Sequence, residues 1–407
     1  MKRVLAGALL LMLLVSGCFR WQAPFSESPL LLLDPSEYPI FDDDGNRADW
    51  IKALDQSQAA LSKMPDEATL LFGKDVYTVS WMRRSLTEFR SFLETDPSDE
   101  SIDRFVRERF RVYRSVGRNR TGDVLFTGYF EPEIEGCPSP RPGCTIPVYG
   151  IPRDLVRIDL GAFSERFSKE RIVGRLHGNT VVPYWERKDI ENPTVFTSPV
   201  DILAWVEDPI DFFFLQVQGS GKIRFPSGER ISIHYAASNG RPYRSIGKRL
   251  LHEGVLSPET VSMQAIKAYL RQHPDRAPEI LQSNPSYVFF ETVPSGPIGS
   301  LGVPLTTGRS IAVDFQIFPK AALAYIQCAK PNRIPKPADI QRHAHAGGRT
   351  DDWIPFGRFV LAQDTGGAIT GPGRVDLFCG SGPDAEWTAG HLQHPGSLYF
   401  LVLKHDD

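Results

Sequence analysis

Arg374-Val-Asp-Leu-Phe-Cys-Gly-Ser-Gly382 alternates its side chains and then breaks at glycine, the pattern of a strand with one covered face. The alternation puts Arg374, Asp376 and Phe378 on one side and Val375, Leu377 and Cys379 on the other. Just upstream, Ala362-Gln-Asp-Thr-Gly-Gly-Ala-Ile369 carries a second aspartate, Asp364, into a Gly-rich turn. From Leu361 to Leu403 the Asp, Glu, Lys and Arg side chains are only Asp364, Arg374, Asp376, Asp384 and Glu386, a charge-poor setting that suits a groove. A carboxyl beside aromatic surface tends to keep its proton, and a neighbouring carboxylate raises its pKa further, as a general acid requires. Strand termini and turn caps account for the two aspartates equally well.

Working outward, short strand-like segments broken by Gly and Pro recur: DVLFTGYFEP (123–132), YVFFE (287–291), SIAVD (310–314), GRFVLAQD (357–364) and SLYFLVL (397–403). DFFFLQVQ (211–218) and KIRF (222–225), either side of QGSG, predict a hairpin, with PSGE leading to RISIHY (230–235). Helical composition occupies 47–65 and 82–95. Ile102, Phe105, Val106, Phe110 and Tyr113 predict one further apolar helical stripe, with Arg104, Arg107, Arg111, Arg114 and Arg118 on a solvated face or, alternatively, facing an anionic polymer or lipid. Ser257-Pro258 predicts a helix start running through Ala265, Ile266, Tyr269 and Leu270 to a stop before Pro274. Residues 331–353 predict a surface loop. The fold class is mainly β with α-helices (α+β).

The chain has 407 residues, 46 Lys plus Arg against 49 Asp plus Glu, and a net charge of −3, so nothing draws it generally to nucleic acid. Lys2 and Arg3 precede an apolar run from Val4 to Val15, too short for the roughly 20 residues of a membrane-spanning helix, so 1–17 predicts a secretion signal. Val15-Ser16-Gly17-Cys18 resembles the lipobox of bacterial lipoproteins, which makes Cys18 the lipidated first residue, residues 18–46 a tether, and a membrane surface the partner of the acyl chains. With Phe19 next to the cysteine, the resemblance implies the outer membrane, facing the periplasm. In that oxidising compartment Cys137 and Cys144, within CPSPRPGC, close a short loop, leaving Cys328 with Cys379 by elimination or as two buried thiols.

Several motifs fail. Ser245-Ile-Gly-Lys248 has the S-x-x-K form but no K-T-G or S-D-N accompanies it, and no serine has Gly at both −2 and +2. His343-Ala-His345 lacks a third metal ligand, and Asp42-Asp43-Asp44-Gly45 lacks the alternating oxygens of a calcium loop. No metal and no cofactor is expected.

Six segments in order, TGYFEPEIEG (127–136), LQVQGSG (215–221), NPSYVFFE (284–291), GRSIAVD (308–314), AQDTGGAI (362–369) and RVDLFCGSG (374–382), resemble the membrane-bound lytic murein transglycosylase A family. The resemblance implies a double-psi β-barrel domain with helices, built from 47–133 and 288–407. It also implies a smaller β domain inserted at 134–287, and a groove between the two. It implies cleavage of the β-1,4 bond between N-acetylmuramic acid and N-acetylglucosamine in peptidoglycan glycan strands, with Asp376 as catalytic acid and Asp364 and Asp314 in support. Thr127, Tyr129, Glu131, Gln218, Gly219, Ser220, Gly221, Gly366 and Gly367 map to the groove, where the glycines permit close sugar approach. Tyr129 or Trp205 offers a stacking ring, although core packing accounts for Trp205 as well. Asp314, before a longer interval to Asp364 than the family shows, is read as structural. Competing readings are a hydrolase of β-1,4 glycans and a non-catalytic peptidoglycan-binding lipoprotein; association with other cell-wall enzymes is a further expectation.

Overall fold

The computed structural model describes residues 28–168, 170–257, 261–294, 296–331 and 353–405. Cys18, the apolar leader, Pro258, His343, His345 and nearly all of the expected 331–353 loop lie outside the described residues.

Side-chain caps set where the first helices begin. After β1 (Leu30–Leu32), the Asn46 carbonyl oxygen accepts from the N–H groups of Ala48 and Asp49 and opens α1 (Arg47–Leu61). β2 (Thr69–Phe72) and β3 (Asp75–Thr78) pair as a hairpin, and Thr78 caps α2 (Val79–Leu93), which buries Met82, Leu86, Phe89 and Leu93. Ser98 caps α3 (Asp99–Arg109). The single stripe expected through Tyr113 is not one helix: the chain turns extended at Phe110 and forms β4 (Phe110–Ser115). Phe110 fits the helical stripe and also begins a two-residue alternation with Val112, and the complete burial of both in the main sheet decides for the strand. Arg107 and Arg109 are ion-paired with Asp103 and Glu88, both at 2.7 Å, so they form a paired surface.

β5 (Val124–Glu131) lies in the main sheet, after which the chain builds a second unit. It comprises β6 (Glu133–Cys137), β7 (Ile146–Tyr149), β8 (Val156–Asp159), β9 (Arg171–His177), β10 (Thr180–Pro183), α4 (Arg187–Ile190) and β11 (Ile202–Val206). The next segment, expected as a strand, is a helix, α5 (Pro209–Gln218). Asp208 accepts from the N–H groups of Ile210 and Asp211, Pro209 fills the first turn, and Gly219 ends the helix at φ 80°. The hairpin is formed instead by β12 (Ser220–Arg224) and β13 (Arg230–Ser238). Ser245 caps α6 (Ile246–His252) by accepting from the Lys248 N–H, which accounts for the S-x-x-K spacing. α7 (Met263–Gln272) begins at Ser262 and not at Ser257, because the Ser262 hydroxyl accepts from the Ala265 N–H. α8 (Ala277–Gln282) and β14 (Val288–Val293) follow. Phe289 and Phe290 bury in the smaller core and β14 pairs with β13, so the smaller sheet runs from Glu133 to Val293, past the expected limits of 134–287.

The main sheet then resumes with β15 (Ser310–Ala312), β16 (Leu323–Pro331), β17 (Trp353–Asp364), β18 (Arg374–Ser381), α9 (Pro383–His391) and β19 (Gln393–Leu403). Its order is β1-β4-β19-β16-β17-β15-β18-β5, and β5 also pairs with β19, so six strands hydrogen-bond in a ring. The second sheet runs β14-β13-β12-β6-β11-β7, with β10-β9-β8 as a small separate sheet. The architecture is mixed α/β and rich in strands.

Cys137 and Cys144 are bridged, with Cα atoms 6.5 Å apart. The expected Cys328–Cys379 bridge is absent: both are free, because β17 and β15 lie between their strands in the sheet. The Asp42-Asp43-Asp44 run serves as counter-charge. Asp42 accepts from the Tyr325 hydroxyl at 2.5 Å, and Asp44 pairs with Arg358 at 2.6 Å and with Lys330. Asp43 receives both ends of the buried Arg309 guanidinium at 2.6 and 2.7 Å, beneath the Trp50 ring. Arg309 directly precedes β15 and its carbonyl accepts from the Leu361 N–H at 2.7 Å, so this ion pair pins the shortest strand of the ring. Asp43→Ala, which strands a buried cation, is expected to cost about 3–5 kcal/mol, read as a lowered urea midpoint; a loss below about 1 kcal/mol would contradict the assignment.

Candidate active site

Strand register brings four residues into one row. Thr127 of β5 lies opposite Asp376 of β18, Asp376 opposite Ala312 of β15, and Ala312 opposite Asp364 of β17. A register shift between Ile311 and Ala312 skips Gln363 and brings Asp364 opposite Ala312, so the two aspartates stand on either side of a residue whose side chain is a methyl group.

Their surroundings differ. The Thr127 hydroxyl donates to Asp376 Oδ1 through a short hydrogen bond, and Arg374 Nε stands 3.8 Å from the same oxygen. Among the described residues Asp376 Oδ2 accepts no hydrogen bond, and the side chain is 18% exposed. Asp364 is engaged at both oxygens: Oδ1 accepts from the N–H groups of Ser300 and Thr365, and Oδ2 from the Tyr129 hydroxyl, each at 2.9 Å. Burial pushes the Asp376 carboxyl above the usual aspartate range and the Asp364 charge adds to that, while Thr127 and Arg374 act against it. Burial also raises Asp364, with Ser300, Thr365 and Tyr129 opposing. Tyr129, buried beside Asp364 with its ring centroid 5.2 Å from that of Phe378, is held well above the ordinary phenol range.

The smaller unit meets this row. Gln218, at the end of α5, accepts from the Phe130 N–H at 3.1 Å through its side-chain oxygen. The Gly219 carbonyl accepts from the Tyr235 N–H at 2.7 Å, and Ser220 lies opposite His234 in the β12–β13 hairpin. Burial lowers the His234 pKa, and the charges of Asp364 and Glu291 oppose it, so His234 lies within electrostatic reach of Asp364. Gly366 and Gly367 are exposed next to Asp364, and a Cβ on Gly367 would meet nothing within 4 Å. Thr127 and Tyr129 thus contact Asp376 and Asp364 directly, Gly366 and Gly367 follow Asp364 in the chain, and Gln218 joins the smaller unit to β5 next to Tyr129, with Gly219 and Ser220 beside it in the chain.

Three expected residues stand elsewhere. Glu131 is buried and ion-paired to Lys222 at 3.0 Å, out of reach of a groove. Gly221 serves packing, since a Cβ there would lie 2.7 Å from Leu215 Cδ1 and 2.9 Å from the Pro132 carbonyl. Asp314 accepts from the Gln316 N–H at 3.0 Å and the Gly371 N–H at 2.8 Å, tying the loop after β15 to the turn before β18. Trp205 lies on β11 opposite Cys137 and Pro147. His234 and Ser300 join the site without a sequence signal, because one acts across a tertiary contact and the other through its backbone. A cavity of about 700 Å³ between α5, α7 and α9 is separate. Its Lys267 and Arg271 are already paired with Asp211, Glu386 and Asp208.

A half-covered carboxyl with raised pKa, beside a second carboxyl engaged at both oxygens and exposed glycines, is the arrangement of an enzyme site suited to acid catalysis. Residues 125–291 match the MltA specific insert domain family and residues 309–402 the 3D domain family. The chain is 31% identical over 291 residues to membrane-bound lytic murein transglycosylase A of Vibrio cholerae, an alignment covering 71% of this chain and 68% of that protein. It is 29% identical over 299 residues to the Escherichia coli protein of the same name, covering 71% and 68%. Among solved structures, a membrane-bound lytic murein transglycosylase from Agrobacterium tumefaciens superposes with TM-score 0.73 at 29% identity, covering 92% of this chain and 97% of that one. MltA from Neisseria gonorrhoeae gives 0.65 at 28%, covering 93% of each. The chain belongs to the membrane-bound lytic murein transglycosylase A family.

Two glycines separate packing from access. A Cβ on Gly128, between Thr127 and Tyr129, would lie 2.7 Å from the Ala389 Cα and 3.0 Å from Cys379 Sγ. Gly128→Ala is expected to lose about 1–3 kcal/mol in urea unfolding, whereas Gly367→Ala stays within about 0.5 kcal/mol of the parent. Equal stability of the two variants would contradict the packing assigned to β5 and α9.

Proposed function

We propose that this protein is a lytic transglycosylase that cleaves the β-1,4 bond between N-acetylmuramic acid and N-acetylglucosamine in peptidoglycan and leaves 1,6-anhydromuramyl ends, a step in remodelling and recycling the cell wall. The relatives' shared name, lytic murein transglycosylase A, supports the substrate. The observation that carries the mechanism is the asymmetry of the two aspartates: Asp376 keeps a free oxygen and a raised pKa, while three donors occupy Asp364.

Asp376 donates its proton from Oδ2 to the glycosidic oxygen, and the C1–O bond breaks with its electron pair on the departing sugar. The Asp376 carboxylate then takes the proton of the muramyl C6 hydroxyl as that oxygen closes on C1, which regenerates the acid. One carboxyl serves both steps, where a hydrolase needs a second to activate water or attack the sugar. Asp364 orients Tyr129 and the Thr365–Gly367 turn, and Asp314 holds the adjoining loop. Thr127, Tyr129, Gln218, Gly219, Ser220, Gly366 and Gly367 line the sugar subsites, and the exposed glycines admit a ring close to the backbone. We assign the six-strand ring to a double-psi β-barrel. The lipobox at Cys18 makes the protein an outer-membrane lipoprotein facing the periplasm; no helix among the described residues is long and apolar enough to cross a membrane.

Asp376→Asn keeps the shape of the side chain but carries no transferable proton. Release of soluble muropeptides from purified sacculi should fall by roughly 10²–10⁴-fold or more, with sacculus binding retained and a smaller loss in Asp364→Asn. Near-parental release by Asp376→Asn would overturn the assignment. Cys18→Ala should shift the protein from the membrane to the soluble fraction, and equal membrane retention would overturn the anchor.

A further inference from the structure

Arg374 lies two positions before Asp376 on β18 and shares its face. Its Nε is buried without a hydrogen-bond partner, 3.8 Å from Asp376 Oδ1, and its Nη2 donates to the Thr127 hydroxyl across 3.5 Å. That same hydroxyl donates to Asp376 Oδ1. A guanidinium carries five N–H donors, and with the side chain 36% exposed most of these face the groove and solvent beside Asp376. The groups facing Asp376 are Arg374 from its own strand, Thr127 and Tyr129 from β5, and Asp364 from β17, while Cys379 packs on the other face against Phe130, Ala385 and Ala389. Burial keeps the Cys379 thiol and the Tyr129 phenol protonated, the thiol being pushed up to about 12. Arg374 is therefore the cation opposing the Asp364 charge.

A cation beside a general acid works against proton retention, so its placement calls for a second demand on the same carboxyl. In the mechanism above, Asp376 is an anion between its two proton transfers, in a site whose burial penalises a bare charge. We propose that Arg374 is a positioning residue for this reaction: with Thr127 it holds Oδ1 of the Asp376 carboxylate left by the first proton transfer, so that Oδ2 stays turned toward the substrate for the second. This rests on Asp376 being the acid of the proposed function. Over the cycle the Asp376 O–H bond breaks and re-forms, the glycosidic C1–O bond is exchanged for a C1–O6 bond, and neither water nor a redox partner enters.

The sign of the pH effect follows. The reaction starts from protonated Asp376, so kcat/KM falls as pH rises through its pKa, and the Arg374 charge draws that pKa down. Arg374→Met removes the attraction: the alkaline limb of the kcat/KM profile moves up by about 1 pH unit or more, and the plateau kcat drops because the carboxylate has lost its counter-charge. Arg374→Lys keeps a positive charge on a shorter donor set and returns the limb toward the parental position. The test is the pH profile of both variants and Asp376→Asn on purified murein glycan strands. An alkaline limb of Arg374→Met that superimposes on the parent's, or one that Arg374→Lys shifts as far as Arg374→Met does, overturns the proposal. Activity in Asp376→Asn would instead remove the reading beneath it, whereas an inactive Asp376→Asn with an unmoved Arg374→Met limb removes the Arg374 role alone.

Discussion

The pairing of the three-residue strand β15 with both β17 and β18 is the constraint from which the site follows. Ala312 is paired with Asp364 on one side, after a one-residue bulge at Gln363, and with Asp376 on the other. With strands about 4.8 Å apart, the two aspartate backbones are held roughly 10 Å from one another, and the side chain between them is a single methyl. A larger residue there would fill the space into which both carboxyls project. β15 is wholly buried, and the Arg309–Asp43 ion pair that precedes it explains why an acidic run from the N-terminal segment belongs to the catalytic architecture.

Within that frame, two chemically identical side chains acquire different roles from what surrounds them. Burial raises both. Asp364 spends its lone pairs on two backbone N–H groups and the Tyr129 hydroxyl, which makes it an organiser of the adjacent turn. Asp376 is steadied at one oxygen and open at the other. The smaller unit completes the surface by bringing Gln218 and the β12–β13 hairpin to the same place, with Gly219 terminating α5 at the point where the chain turns back.

Much of this was legible in the sequence where local pattern and tertiary demand agree. The alternation in Arg374–Cys379 marked the strand and the face of Asp376, and helical composition at 47–65 and 82–95 marked α1 and α2, though not the caps that begin them. Reading failed where two periods fit the same residue, as at Phe110, and where an aromatic run concealed a helix whose decisive signal was Asp208-Pro209 just before it. It failed also where a motif residue serves packing, as Gly221 and Glu131 do, or where the contact depends on sheet order, which keeps Cys328 from Cys379. Ser300 contributes only a backbone N–H and His234 arrives from the other unit, so neither carries a signature along the chain.

The central claim is that one carboxyl acts twice and that the substrate's own hydroxyl replaces water. Digesting purified sacculi in water enriched in oxygen-18 and weighing the released muropeptides by mass spectrometry tests it most directly. Intramolecular closure predicts muramyl ends lighter by one water than their hydrolytic counterparts, with no heavy oxygen incorporated. Incorporation of one oxygen-18 at each new muramyl end would contradict the account and make the protein a hydrolase.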